Sequence, residues 1–199
     1  MCFSFVGRRE IMVLMKKILD VGCGTNKHPG AIGLDNNLRT AADVIHDLGQ
    51  IPYPFPDNEI DEIVSNHVAE HVPDVMAFVT ELYRITKPGG RIKLLTPHYT
   101  NPDWASDPTH RNHFNSYTFN VFMPERQLFP FYTEVNLKLI KTHVSLANLW
   151  RSLGIEFLVN LDQKQSSFRF LRKFWEQYLS YIFRGKELRF EFEVVKKNG

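Results

Sequence analysis

Apolar positions along the chain recur with two periods. Compact apolar runs at 18–21, 32–34, 44–45 and 60–64 each close on a polar residue or glycine, as buried parallel strands do. Pro73 and Asp74 then open a helix in which Val75, Phe78, Val79, Leu82 and Ile85 keep a three-four spacing. Lys87-Pro88-Gly89-Gly90 ends that helix, and 91–96 reads as the next strand. Val135, Leu137 and Leu139 alternate as another. Phe168, Leu171, Trp175, Tyr178, Leu179 and Ile182 form a helical stripe, expected to be core with solvated cations around it. A less ordinary use of that stripe is to meet an anionic or membrane-surface acceptor. The last segment is a strand with Leu188, Phe190, Phe192 and Val194 on one side and Arg189, Glu191 and Glu193 on the other.

Strands alternating with helices predict a three-layer α/β domain. No repeat, low-complexity tract or Gly/Ser linker divides residues 1–199, so one domain is expected. Residues 97–133 have another character, with five prolines, three histidines, many aromatics and no sustained period. A structureless stretch of that length predicts a substrate-side insertion or lid rather than a core element, followed by a C-terminal part over 134–199.

Charge narrows the picture little. The 24 Lys and Arg against 22 Asp and Glu give a net +2, concentrated at the C-terminal end, which argues neither for nucleic acid nor for anionic membrane. Two cysteines, Cys2 and Cys23, are too few for a disulfide framework or a four-ligand zinc site, so a reducing, cytoplasmic setting is expected. No stretch approaches the roughly 20 apolar residues of a membrane span, and the N-terminus does not read as a signal peptide.

The candidate chemistry begins where Ile18-Leu19-Asp20-Val21 runs into Gly22-Cys23-Gly24-Thr25. Two glycines at a strand's end let the backbone turn sharply and approach a ligand. A dinucleotide fingerprint would need a third glycine where Lys27 stands and an acid further on than Asp35, so NAD is disfavoured. With LDVGCGTN at 19–26, IGLD at 32–35, HDLGQIPYPFPDNEIDEIVSNHVAEHV at 46–72 and LYRITKPGGRIKLLTP at 82–97, the chain resembles the class I S-adenosylmethionine-dependent methyltransferases over residues 17–98. That resemblance implies a Rossmann-like fold with a mostly parallel sheet and an antiparallel final strand. It also implies S-adenosylmethionine as cofactor and S-adenosylhomocysteine as product.

The site residues follow from matching positions. The resemblance puts Asp20 near the amino acid end of the cofactor, Asp35 with neighbouring Asn36 on the ribose hydroxyls, and Asp47 with Leu48 at the adenine edge. Gly22, Cys23, Gly24 and Thr25 form the backbone approach, and Asn66 and His67 face the methionine moiety. Carboxylates suit a ligand carrying a sulfonium, an ammonium and a ribose diol.

Only nine residues, 22–30, separate the first two strands and seven, 36–42, the second from the third. Parallel neighbours ordinarily need a crossover of about a dozen residues. Shortened crossovers predict a corner without full helical cover and with open apolar surface, to be covered by residues 1–15 or by a partner subunit in a homodimer.

The histidines admit several uses. His67-Val68-Ala69-Glu70-His71 matches the H-x-x-E-H pattern of a class of zinc peptidases, but it begins at a strand's end, and zinc there needs both histidines on one helical face. His98 follows the fifth strand and is expected at the mouth of the cofactor crevice, where it or His110 would serve as general base. Alternatively His98, Asp107 and His110 hold a metal, or the histidines only brace the lid. The site residues as a set favour methyl transfer to a small-molecule oxygen or nitrogen, with no metal required. The rivals are an inactive cofactor-binding module acting through a partner and a zinc hydrolase. An N-P-P-Y signature of amino-group methylases of nucleic acids is absent at Ser65-Asn66-His67, so there is no clear nucleic-acid signature.

Overall fold

The computed structural model describes residues 16–163 and 166–196. Seven strands form one sheet: β1 (Ile18–Val21), β2 (Ile32–Asp35), β3 (Val44–Ile45), β4 (Ile60–Asn66), β5 (Thr86–Pro97), β6 (Leu137–Leu146) and β7 (Gly185–Val194). Their order is β3-β2-β1-β4-β5-β7-β6. The first five run parallel, and β7 is inserted antiparallel between β5 and β6. The expected α/β architecture with a mostly parallel sheet and an antiparallel last strand is observed.

Helix α1 (Val75–Ile85) forms where the sequence predicts it. The Asp74 side chain accepts the Ala77 N–H at 3.0 Å, satisfying one of the free donors of the first turn. Phe78, Val79, Leu82 and Ile85 are buried, each contributing roughly 1.5–3 kcal/mol of apolar transfer. They lie against a row that the strand register lines up across four strands: Leu19, Ile63, Ile92 and Phe192.

The two crossovers 22–31 and 36–43 hold turns and no helix, as their lengths predict. The surface this leaves is not apolar. Strand alternation turns Glu62, Lys93, Arg189, Glu191, Lys141 and His143 to that side, where Glu62 pairs with Lys93 and Arg91 with Glu191. Among the described residues this face carries ion pairs in place of a second helical layer. From β4 to β6 the uncovered face is thus largely charged, unlike the apolar opening expected beside the short crossovers. Residues 1–15, proposed as its cover, lie outside the described residues.

The segment 97–133 divides into two. Phe114, Phe119, Phe122 and Met123 are core, with the Phe119 ring 4.9 Å from Phe190 and 5.9 Å from Phe192. Its apolar residues pack on Phe190 and Phe192, on the side of the sheet that α1 covers. Only the earlier part, around Thr109 and Arg111, lies over the strand ends as a lid would.

Between β6 and β7 lie α2 (Asn148–Ser152), α3 (Ile155–Val159) and α4 (Arg169–Phe174), the last running on through a wider turn to Leu179. Here the stripe is core only in part: Trp175 is buried and Leu179 packs against the core, whereas Tyr178 and Ile182 are more than half exposed. Arg172, Glu176 and Ser180 are buried beside Trp175. The free edge of β6 explains the buried polar residues. Arg172 donates to the Thr142 carbonyl at 3.0 Å, to Asn160 at 3.1 Å and to Asp162 at 2.6 Å. The Asn160 amide group meanwhile accepts the Val144 N–H at 2.9 Å and donates to the Val144 carbonyl at 2.7 Å. Edge groups that no strand pairs are satisfied by side chains, which draws the polar side of the helix inward. Among the described residues no helix is long and apolar enough to cross a membrane.

Candidate active site

At the carboxyl ends of β1, β2 and β4, a cleft of about 390 Å³ opens, within the usual size range of small-molecule sites. Gly22, Asp35, Asn36, Asp47, Leu48 and His67 line it, six of the residues that the sequence predicts for the cofactor. Gly49, Val68, His71, Val72, Pro73, Thr109 and Arg111 complete the wall. Open parallel sheets bind ligands at this end because the strand-to-helix turns present free backbone groups there.

The glycine turn and the second strand are bound together. Gly22 takes φ +69°, and a Cβ there would stand 2.2 Å from Val68 Cγ2, so only glycine lets the backbone pass beneath the cleft wall. Asp35 Oδ2 accepts the Gly24 N–H at 2.9 Å and Oδ1 accepts the Asn37 N–H at 3.0 Å. A carboxylate offers about four lone-pair sites, so two backbone bonds fix its direction and leave acceptor capacity toward the cleft. Asp47 is oriented likewise, accepting the Gly49 N–H at 2.9 Å.

His67 sits at the end of β4 with φ +56°, in the left-handed region that non-glycine residues seldom enter. Its Nδ1 lies 3.3 Å from Glu70 Oε1. That hydrogen bond raises the imidazole pKa above its ordinary value against an opposing effect of burial, and the Glu70 and Glu187 charges add to the rise. Glu70 itself is fully buried and accepts the Thr96 hydroxyl at 3.1 Å.

Other predicted residues lie elsewhere. Asp20 is buried below the turn and accepts the His28 N–H at 2.7 Å; burial raises its pKa, partly offset by that bond. Cys23 is buried with its sulfur facing Gly33, and burial pushes the thiol up. Gly24 and Thr25 belong to the turn rather than the cleft wall. Asn66, one residue before His67, points to the opposite face of the sheet, into a cavity of about 690 Å³ shared with His28, Lys93 and Arg189.

His98 departs most from its expected place. It is fully buried, not at the crevice mouth. The Thr100 N–H donates to Nδ1 at 3.2 Å, so Nδ1 is an acceptor and the proton is on Nε2, which lies 3.2 Å from Glu176 Oε2. With both nitrogens engaged and its ring 5.1 Å from that of Trp175, His98 holds the core around β7. His110 lies beside the cleft, its ring 4.6 Å from that of His71 and its Nε2 3.8 Å from Asp107 Oδ2, while His98 bonds Thr100 and Glu176 in the core. His71 and Arg111 escaped prediction as cleft residues, although each adjoins a residue that the sequence singles out.

Comparison with known proteins finds methyltransferases. Residues 19–94 match the family model described as a methyltransferase domain. A demethylmenaquinone methyltransferase of Listeria monocytogenes is 32% identical over 148 residues, 59% of each chain. The chloroplastic tocopherol O-methyltransferase of Arabidopsis thaliana is 32% identical over 117 residues, 47% of this chain and 34% of that one. The chain thus spans 59% of the length of the Listeria relatives it matches. Among solved structures, a SAM dependent methyltransferase from Archaeoglobus fulgidus superposes with a TM-score of 0.54 at 17% identity, covering 89% of this chain and 86% of that one, a likeness of fold.

Proposed function

We propose that this chain is a class I S-adenosylmethionine-dependent methyltransferase that moves a methyl group from S-adenosylmethionine to a small-molecule oxygen or nitrogen, releasing S-adenosylhomocysteine. The observation that carries this proposal is the convergence of Gly22, Asp35, Asp47 and His67, from four separate segments, on one cleft. Two features fit a nucleoside-bearing ligand: a carboxylate with lone pairs to spare, and a turn that any Cβ would obstruct.

In this proposal Asp35 accepts the ribose hydroxyls, Asp47 and Leu48 flank the adenine, and the backbone at Gly22 lies closest to the amino acid end. When bound, S-adenosylmethionine supplies the electrophilic methyl. Thr109 and Arg111 form the wall on the acceptor side and restrict water. Holding the acceptor in line with the methyl is worth roughly 7–11 kcal/mol, against about 10²–10⁴ in rate, on the order of 3–5 kcal/mol, for a positioned base. Positioning is the larger effect, so catalysis does not depend on the buried His98.

The test is transfer of labelled methyl from S-adenosylmethionine to a panel starting from demethylmenaquinone and tocopherol, the compounds in its relatives' names, and extending to phenols and amines. Label should reach at least one acceptor and fail to do so in Asp35→Ala. Tight binding of S-adenosylhomocysteine with no transfer to any acceptor would replace the enzyme by a cofactor-binding module.

A further inference from the structure

Glu70, His71 and His110 each place one potential ligand atom within 4.8 Å of those of the other two. The hydrogen bonds around the two imidazoles determine where their protons are. Thr109 Oγ1 donates its only proton to Asp107 Oδ1 at 2.6 Å, so at its 2.9 Å contact with His71 Nδ1 the hydroxyl can only accept. The proton of His71 is therefore on Nδ1. His110 Nδ1 lies 2.7 Å from the Trp104 carbonyl, which accepts and never donates, so His110 also carries its proton on Nδ1. In the neutral imidazoles both Nε2 atoms then keep a lone pair, that of His110 standing 3.8 Å from Asp107 Oδ2, beyond hydrogen-bond distance.

We infer that Glu70 and the Nε2 atoms of His71 and His110 form a site for a divalent cation of the zinc or cobalt class, joining the turn after β4 to the lid. Two neutral imidazoles and one carboxylate are a donor set of open zinc sites, which leaves a fourth position free. Metal-bound histidines ordinarily give their other N–H to a carbonyl or to a group backed by a carboxylate, and both histidines here do so before any ion arrives. Glu70 is a fully buried carboxylate with lone pairs beyond its contacts to His67 and Thr96. Ligands at 2.0–2.1 Å around a tetrahedral ion sit about 3.4 Å apart, so binding draws the lid histidine inward. The ligand set differs from the H-x-x-E-H reading, which pairs His67 with His71; here the second histidine comes from 39 residues downstream of His71. The site does not depend on methyl transfer.

The test titrates full-length, metal-stripped protein with Co²⁺, followed by visible absorption, and with Zn²⁺ by calorimetry. Wild type should bind one equivalent with the intense bands of a four- or five-coordinate cobalt ion. His110→Ala and His71→Ala should lose them. Thr109→Val, which keeps every ligand but removes the support of His71, should bind about 10–100-fold more weakly. His67→Ala should retain the spectrum. Melting curves check that each variant is folded, and Thr109→Val, which alters only an exposed hydroxyl, tests the site even if a ligand variant is not. Absence of cobalt bands in wild type, undiminished affinity in Thr109→Val, or loss of the metal in His67→Ala would each overturn the assignment.

Discussion

Gly22 and Val68 occupy the same space from opposite sides of the cleft floor: a Cβ on Gly22 would stand 2.2 Å from Val68 Cγ2. Gly22→Ala should therefore cost about 1–3 kcal/mol from overpacking, with a further penalty for alanine at φ +69°. Val68→Ala in the same chain should recover the steric share but not the conformational one. Urea denaturation of the two single variants and the double variant measures the coupling. Strict additivity would mean that the two residues do not meet.

Glu176 gives the fold a pH dependence. Burial alone would raise its pKa, but the His98 hydrogen bond, with the Ser116 hydroxyl and N–H, outweighs burial and holds it below the ordinary value. A carboxyl group whose folded pKa is depressed contributes stability that is fully present above its unfolded pKa, about 4.3, and is lost as pH falls through the folded value. Glu176→Gln should thus be less stable than wild type at pH 7 and lose less on going from pH 5 to pH 3. Parallel stability curves for the two proteins over that window would show the carboxylate to be unimportant.

The helix after α3 invites a paired substitution. Trp175 is 2% exposed and donates its indole N–H to the Phe183 carbonyl at 2.9 Å, while the adjacent Phe174 is 52% exposed. Trp175→Ala should cost about 3–5 kcal/mol, and Phe174→Ala no more than about 0.5 kcal/mol. Comparable losses at both positions would mean that Phe174 is packed as closely as Trp175.

What could be read from the sequence follows the distance over which each feature is decided. Strands β1 to β5 and helix α1 were legible because hydrophobic period and local caps, such as Asp74 on Ala77, decide them within a few residues. The approach of Asp35 to the turn after β1 was legible for the same reason, since parallel neighbours bring strand ends together. The role of His98 was not, because its partner Glu176 is 78 residues away. Nor was the burial of Arg172 beside the 168–182 stripe, since periodicity identifies an apolar side but not the demand of a distant strand edge for a guanidinium. The resemblance assigned Asn66 to the cleft together with His67, although successive strand residues face opposite ways.

The central claim is that the cleft between β1, β2 and β4 holds an S-adenosyl nucleoside through Asp35. Calorimetry with S-adenosylhomocysteine measures this without any knowledge of the acceptor. Wild type should bind one equivalent, Asp35→Asn should bind about tenfold more weakly, and Asp35→Ala at least as weakly, since a charge-assisted bond to a ligand hydroxyl is worth about 1.5–3 kcal/mol. No heat of binding in the wild-type protein, or equal affinity in all three, would contradict it.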